Sequence, residues 1–408
     1  MQNLPINPIN KEILIVSHVN PFTGLSGQSQ RVYNTLIAFG YVGFRIKLIT
    51  MHKALVEPEK FERLLKNCKE IEVEFLEEPI SMKLMALWFK FLPWLGFGKS
   101  SNFELPYVFE KRLNKITAGK GIVLFEYWHL HASAKRLSKI GYTTICDTHN
   151  ILSGSFKEYL EEIRILPNWY RKYLFKSYQK LEFDKALKSF DKLIAINQEE
   201  QYIYNEKFPL KEVFYCPMGI DFNNFSKPKS IKGNKLVILY YGGLGNPRNV
   251  NEAIAVYEYF VKENPNIDEY RVVGSNPPSR LKDLIKVDPR IIVTGFVNDL
   301  SDVFSGITLA IIPFWGKFGF RSRIIELMFY HIPVLTTSES VWGMGFTPDK
   351  EIFLFEDYKE MKLKAETLIK NQSLLEDVSR AAKLKIENTY SFASTYELFA
   401  RKLLYMNS

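Results

Sequence analysis

Short apolar runs that alternate with segments of helical periodicity recur along the chain, and they restrict its fold to one class. The first run, Lys11–Ser17, is followed by a glycine-containing loop, an amphipathic stretch at Ser29–Phe39 and a second run at Phe44–Thr50. Continuous apolar runs bounded by turn residues are typical of buried parallel strands. Strands that alternate with helices in this way predict an α/β protein with a doubly wound parallel sheet.

The pattern occurs in two sets, which predicts two domains. Further runs of the first set are Gly121–Phe125, Thr143–Asp147, Phe190–Ile196 and Val213–Pro217. After a Lys- and Ser-rich stretch at Ser226–Asn234, which we interpret as a linker, the second set comprises Lys235–Tyr241, Tyr270–Val273, Ile291–Thr294, Ala310–Pro313 and Pro333–Thr337.

The 408 residues exceed what one hydrophobic core usually supports. We therefore predict two Rossmann-like domains, residues 1–225 and 226–408, with the final helices as candidates to cross back to the first domain. Ligands of such sheets bind at the carboxyl ends of the strands. We accordingly expect the domains to face each other across a cleft that holds the site.

The charge of the chain suits anionic partners. The formal net charge is +9, and residues 1–215 contain 30 basic and 23 acidic side chains. Such an excess is typical of proteins that bind diphosphates, lipid headgroups or nucleic acid, and equally of a solvated lysine-rich surface. The three cysteines lie far apart without a CxxC pair, so the sequence indicates neither a zinc site nor a disulfide framework.

The sequence contains no segment that predicts secretion or a membrane span. Its first residues lack the charged and apolar regions of a signal peptide, and the nearest approach to a spanning segment, Met82–Phe97, is interrupted by two lysines and a proline. We expect a cytoplasmic protein. Mixtures of aromatic residues and lysines at Lys83–Lys99 and Arg164–Lys192 suit either an ordinary packing surface or a peripheral contact with the inner face of a membrane.

Two loops that follow strand-like runs contain glycines, Gly24-Leu-Ser-Gly27 and Gly243-Leu-Gly245-Asn-Pro-Arg248. Neither has the G-x-G-x-x-G pattern of a nicotinamide site, and the chain has no P-loop lysine motif. Glycine allows a phosphate to approach backbone N–H groups at the start of a helix. The loops therefore predict phosphate binding with Arg248 as a clamp, although tight turns and an exposed arginine without function would give the same pattern.

The most informative segment is Gly316–Thr337. It places Arg321 and Arg323 after Gly319 and Phe320, at the start of a predicted helix, where cations are unfavourable unless an anion binds there. Glu326 follows one turn later. Its carboxylate can accept hydrogen bonds from both hydroxyls of a ribose, or it can form an ion pair with Arg323.

The segment resembles the retaining glycosyltransferases of the large GT4-like group, which adopt the GT-B fold. In that family a glutamate is followed by an apolar helix and a strand that begins G-x-P, which Glu326 and Pro333–Thr337 match. Other elements that resemble the family are Ile13–Arg31, Asp147-Thr-His149-Asn150, Pro217-Met-Gly219-Ile-Asp221 and Gly295-Phe-Val-Asn-Asp299-Leu. The resemblance thus covers nearly the whole chain.

The resemblance implies roles for the matching residues. Glu326 binds the ribose of the donor, His149 lies at the donor sugar, and Arg248 and Arg323 hold the diphosphate and share the catalytic role with His149. The loop at Gly27 faces the donor phosphates or the acceptor. The remaining donor-binding residues that we predict are Gly243, Gly319, Phe320 and Arg321.

Two departures from the family pattern affect these roles. Phe318 stands where the family has a first glutamate, and Gly243 stands where it has an arginine. A subset of the family has a G-T-R-x-K-x-x-E segment, which Gly319–Glu326 resembles. Arg321 or Arg323 would then supply the missing positive charge, while the contacts to the donor sugar stay open.

We therefore predict an enzyme that transfers a sugar from a nucleotide-diphosphate sugar to a sugar or lipid-linked acceptor with retention, in the synthesis of a cell-surface polysaccharide or glycolipid. No Asp-x-Asp element occurs, and we predict no metal, no cofactor and no nucleic-acid partner. One alternative is a nucleotide-sugar epimerase of the same fold. Another is a non-catalytic subunit that binds nucleotide-sugars.

Overall fold

The computed structural model describes residues 11–23, 26–51, 53–77, 108–163, 165–226, 235–297 and 299–406. Most of the predicted linker, from residue 227 onward, and the stretch Lys83–Lys99 lie outside the described residues. The chain divides into two compact units. Unit 1 comprises Met1–Gly219 and Ala393–Ser408, and unit 2 comprises Ile220–Phe392.

Unit 1 is built on a seven-stranded parallel sheet. Its strands are β1 Glu12–Ser17, β2 Arg45–Met51, β3 Ile71–Leu76, β4 Gly121–Glu126, β5 Tyr142–Asp147, β6 Lys192–Ala195 and β7 Glu212–Tyr215. They are ordered β3-β2-β1-β4-β5-β6-β7. Every neighbouring pair is parallel, so the carboxyl ends of all seven strands lie at the same edge.

Helices connect the strands of unit 1. They are Gly27–Tyr41, Pro58–Asn67, His131–Lys139, Leu152–Glu162, Asn168–Lys180, Gln198–Lys207 and Leu398–Met406. The first begins where the hydroxyl of Ser26 accepts a hydrogen bond from the backbone N–H of Ser29. The last packs on the same core, because the ring of Phe399 lies 6.1 Å from that of Phe39 and 5.5 Å from that of Phe214.

Unit 2 contains a six-stranded parallel sheet. Its strands are β8 Val237–Tyr241, β9 Glu269–Val273, β10 Ile291–Thr294, β11 Leu309–Ile312, β12 Val334–Thr337 and β13 Phe353–Phe355. They are ordered β10-β9-β8-β11-β12-β13. The helices of this unit are Pro247–Val256, Ser279–Val287, Leu300–Val303, Ser322–Phe329, Tyr358–Leu368 and Gln372–Thr389.

The loop after β8 passes close to the loop after β9. A side chain at Gly274 would place its Cβ 1.8 Å from the carbonyl oxygen of Gly242. Only glycine allows this approach. The two glycines thus bring the carboxyl ends of the central strands together at the edge where ligands of parallel sheets bind.

Both sheets confirm the predicted α/β class with two Rossmann-like folds. The helix predicted at Val250–Glu263 begins three residues earlier, because Asn246 caps its first turn and Pro247 occupies the first helical position. Within the described part of the chain, no helix combines the length and the apolar composition needed to cross a bilayer.

Candidate functional site

Three arginines of unit 2 surround the ring of Phe314, which follows β11. The guanidinium carbon lies 4.1 Å from the ring centroid for Arg248, 3.8 Å for Arg321 and 5.6 Å for Arg323. We refer to these three side chains as the arginine cluster. The structure thus brings together three cations that the sequence placed 75 residues apart at most, on the face of one aromatic ring.

Backbone carbonyl groups fix the orientation of the arginine cluster. Each guanidinium donates to at least one of them: Arg248 to Trp315, Arg321 to Gly316 (3.3 Å) and Phe318 (3.1 Å), and Arg323 to Tyr241 (3.2 Å). A guanidinium has five N–H donors. Donors remain in each side chain beyond those used here, and they are held in a preset direction.

Arg248 and Arg321 differ from the prediction in their local position. Arg248 lies in the first turn of the helix Pro247–Val256 rather than in the loop, because Asn246 caps that helix and accepts from the Arg248 N–H. Arg321 is the residue before the helix Ser322–Phe329, while Arg323 lies within its first turn. Two helix starts therefore present their arginines to the same space.

A buried carboxylate beside the arginine cluster was missed by the sequence analysis. Glu252 is 3% exposed. Its Oε1 lies 3.5 Å from Nε of Arg248 and its Oε2 lies 3.8 Å from Nη2 of Arg323, while the hydroxyl of Tyr240 donates to Oε2 at 3.0 Å. Burial raises the pKa of Glu252 and the nearby Arg323 charge opposes this shift. When ionised, Glu252 balances one of the three positive charges and leaves an excess of two.

Glu326 lies on the same helix as Arg323 and already accepts a hydroxyl group. Its Oε2 accepts from the hydroxyl of Tyr241 at 2.7 Å, and Ser322 provides a second hydrogen bond. Burial raises the pKa of Glu326, and these hydrogen bonds together with Arg323 act against the shift. Arg323 forms its ion pair with Glu252, which removes the main reason for reading Glu326 as a partner of that arginine.

The predicted glycines around the arginine cluster differ in the space beside them. A Cβ at Gly242 would lie 2.5 Å from Nη1 of Arg323, whereas a Cβ at Gly243 would meet no described atom within 4 Å. Gly319 has φ +90°, a conformation that favours glycine. The loop at Gly243 therefore borders open space, as a residue that contacts a ligand must.

The two phenylalanines of the segment pack within unit 2. The ring of Phe320 lies 5.4 Å from that of Tyr390, and the ring of Phe318 lies 5.4 Å from that of Trp342. These contacts account for both side chains as packing residues. A donor contact at Phe320 would have to use its backbone.

Unit 1 carries the other predicted site residues at the carboxyl edge of its sheet. The side chain of Arg31, 1% exposed, donates from Nε and Nη2 to the two carboxylate oxygens of Asp147 at 2.8 and 2.9 Å. Nη2 also donates to the carbonyl of Cys216 at 2.9 Å. This bidentate pair joins the first helix to the ends of β5 and β7, which assigns Asp147 a structural role.

His149 follows β5 and pairs with a carboxylate that the sequence analysis did not identify. Its Nε2 lies 2.5 Å from Oε2 of Glu126, the last residue of β4. The imidazole also stacks on the ring of Tyr127 at 4.1 Å, and both residues have positive φ, +58° and +70°. Burial, followed by the charge of Asp147, raises the pKa of Glu126.

Two further histidines belong to this edge. The ring of His18 lies 5.1 Å from that of Tyr127 and 5.4 Å from that of His129. Burial lowers the pKa of both, that of His129 to about 4, and neighbouring histidines lower them further. Three imidazoles therefore line the carboxyl edge of the first sheet, two of which are held in the neutral form.

Glu126, Asp147 and His149 also form a group whose ligand atoms lie within 4.8 Å of one another. Both oxygens of Asp147 already accept from Arg31, and His149 occupies one oxygen of Glu126. The guanidinium supplies the positive charge in this group. Gly27, the other predicted residue of unit 1, begins the first helix, and a Cβ there would lie 3.5 Å from Cε of Met218; its loop partner Gly24 lies outside the described residues.

Comparisons with known proteins bear on unit 2 first. Residues 235–371, which include the whole arginine cluster, match the family described as glycosyl transferases group 1. The chain is also similar to the capsular polysaccharide biosynthesis glycosyltransferase CapM of Staphylococcus aureus, with 23% identity over 194 residues. That match covers 44% of this chain and about half of the relative, 50% of its length.

Solved structures match over both units. Sucrose-phosphate synthase from Thermosynechococcus elongatus has a TM-score of 0.68 at 14% identity, over 97% of this chain and 100% of that one. HepE from Anabaena in complex with UDP and glucose has a TM-score of 0.61 at 13% identity, over 96% of this chain and 99% of that one. At these identities the likeness shows the fold. The chain therefore has the GT-B fold of glycosyltransferases, and its residues 235–371 form a domain of the glycosyl transferases group 1 family.

Proposed function

We propose that this chain transfers a sugar from a nucleoside-diphosphate sugar to an acceptor with retention of configuration and without a metal ion. The observation that carries the proposal is the arginine cluster beside Glu326, within the part of the chain that matches the family. Cations fixed around open space suit a diphosphate, and a carboxylate that accepts hydroxyl groups suits a ribose. The donor thus finds both of its charged and polar parts matched in unit 2.

The arginine cluster supplies what departure of a diphosphate requires. When the bond between the anomeric carbon and the diphosphate oxygen breaks, the electron pair stays on the diphosphate and its negative charge grows. Donors that are fixed in advance stabilise this charge without reorganisation, and guanidinium groups match phosphate oxygens two at a time. Carbonyl contacts and Glu252 fix the three guanidinium groups, and the excess of two positive charges replaces the charge of a divalent cation.

Retention follows in this proposal from attack on the face that the diphosphate leaves. The acceptor hydroxyl bonds to the anomeric carbon there and passes its proton to the departing phosphate oxygen. His149 remains the predicted catalytic residue of unit 1, and Glu126 is its positioning residue through the contact at Nε2. With Nε2 engaged, Nδ1 is the nitrogen that faces any partner outside this pair.

Relatives guide the choice of donor and acceptor. HepE is seen with UDP and glucose, and CapM is named for capsular polysaccharide biosynthesis. We therefore propose a UDP-sugar as the first donor to test and a glycan of the cell surface, free or lipid-linked, as the acceptor class.

A donor panel tests the proposed function. The full chain is incubated with UDP-, GDP- and dTDP-sugars, with and without pooled oligosaccharide acceptors, and products are followed by nucleoside diphosphate release and by NMR of the anomeric centre. We expect release of one nucleoside diphosphate that increases with acceptor, and an α-linked product from an α-linked donor. Conversion of a UDP-sugar to its epimer without acceptor would indicate the epimerase instead, and binding without turnover would indicate the non-catalytic subunit.

Replacement of Glu326 by glutamine tests the ribose contact. Hydrogen bonds to a charged group contribute about 1.5–3 kcal/mol, so we expect the affinity for the nucleoside to fall roughly 10- to 100-fold in calorimetric titrations. Glu376→Gln, on the exposed surface of the same unit, serves as the matched control and should bind like the parent. An unchanged nucleoside affinity in Glu326→Gln would refute the ribose role.

A further inference from the structure

The helix Asn168–Lys180 of unit 1 presents large side chains to solvent at successive turns. None of its 13 residues, all of them described, is buried. Trp169 is 72% exposed and Tyr173 is 62% exposed, and Ile165, just before the helix, is 82% exposed. Contiguous apolar groups in water mark a surface that binds a partner.

The same face is strongly basic. The helix contains four basic residues and no acidic one. Lys172, Lys176 and Lys180 are exposed, and spacings of three and four residues place them on the side of Trp169 and Tyr173. We call Ile165, Trp169, Lys172, Tyr173, Lys176 and Lys180 the outer face. Its occupant must accept aromatic groups and positive charge together.

The opposite side of the helix anchors it to unit 1. Tyr170, Leu174 and Tyr178 are half-buried, and the ring of Tyr178 lies 4.8 Å from that of Phe156 and 5.6 Å from that of Trp128. Because these contacts hold the helix, the outer face is presented as a rigid surface and does not need to fold when it binds.

We propose that the outer face lies on the surface of a bilayer that contains anionic lipid. Tryptophan and tyrosine concentrate at the boundary between headgroups and acyl chains, and lysines beside them attract anionic headgroups. A short helix with aromatic residues and lysines and no acidic residue has the composition of helices that lie in this plane. This inference goes beyond the proposed sugar transfer and uses residues of unit 1, whereas the proposed donor site is in unit 2.

Sedimentation of the full chain with vesicles tests the proposal. The vesicles contain either phosphatidylcholine alone or equal parts of phosphatidylcholine and phosphatidylglycerol. We expect binding to the anionic vesicles that weakens as salt rises. Lys172→Glu together with Lys176→Glu should lower the partition coefficient about 30-fold or more and flatten its salt dependence. Trp169→Ala together with Tyr173→Ala should lower it about tenfold at every salt concentration.

Matched variants elsewhere on unit 1 separate the outer face from general charge. Lys66→Glu with Lys69→Glu changes the net charge by the same amount at exposed positions, and Tyr202→Ala removes an aromatic side chain that is 67% exposed; both should sediment like the parent. If the parent stays in the supernatant with anionic vesicles, or the outer-face variants bind as it does, the proposal is overturned. Nucleoside diphosphate affinity, measured on every variant, reports on the donor site separately.

Discussion

Replacement of Arg323 by methionine is expected to lower the affinity for a nucleoside diphosphate about 100-fold and to leave the affinity for the nucleoside within about twofold. Arg323 is 15% exposed at its side chain, donates to the Tyr241 carbonyl and lies 3.8 Å from Glu252. Its removal deletes a charge-assisted contact worth about 1.5–3 kcal/mol and frees Glu252 to repel the phosphates. Because that charge grows as the bond breaks, kcat/KM for the donor should fall further, by roughly 10²- to 10³-fold.

Two companion variants define what Arg323 contributes. Arg323→Lys keeps the charge and loses the forked geometry, so an intermediate loss is expected. Arg380→Met removes an arginine of unit 2 whose side chain is 72% exposed, and should bind as the parent does. Equal losses for nucleoside and nucleoside diphosphate in Arg323→Met would contradict a diphosphate contact and indicate a general disturbance of unit 2.

Replacement of Arg31 by methionine should destabilise unit 1 by about 3–5 kcal/mol. The pair between Arg31 and Asp147 is almost fully buried, with side-chain exposures of 1% and 3%. Removal of one member leaves the other charge buried without its partner, which is the costly case for buried ion pairs. Hydrogen exchange measured in increasing urea, on peptides of β1 and β5, gives the free energy of opening for this unit by itself.

A second substitution distinguishes the charge from the packing of Arg31. Arg31→Met combined with Asp147→Leu removes both charges, and we expect it to regain about half of the lost free energy, because an apolar replacement of a buried pair is tolerated. Arg45→Met breaks exposed pairs with Glu12 and Glu70 and should change stability by less than about 1 kcal/mol. A loss in Arg31→Met as small as that of Arg45→Met would remove the pair from the account.

Eleven strands of the sheets could be predicted because they are buried on both faces and read as continuous apolar runs. The two missed strands are both at sheet edges. β3 alternates apolar residues with glutamates, and two of these, Glu72 and Glu74, form ion pairs with Lys47 and Arg112. β13 has three residues, Phe353–Phe355, too few for any periodicity to show.

The site was predicted as far as local pattern reaches. Arg321 and Arg323 were found because cations at the start of a helix are unfavourable by themselves. Glu252 lies four residues after Arg248 on one helix, a spacing that could have identified it. Glu126 meets His149 because β4 and β5 pair in a register that sets Glu126 opposite Asp147. Such a register between parallel strands has no local sequence signal.

The central claim is that the arginine cluster binds the diphosphate of the donor, and a structure of this chain with a nucleoside diphosphate tests it most directly. Our account predicts phosphate oxygens within about 3 Å of guanidinium nitrogens of Arg321 and Arg323, with the ribose hydroxyls at Glu326. A diphosphate bound elsewhere in unit 2, with the three arginines still packed on Phe314 and without phosphate contact, would contradict it.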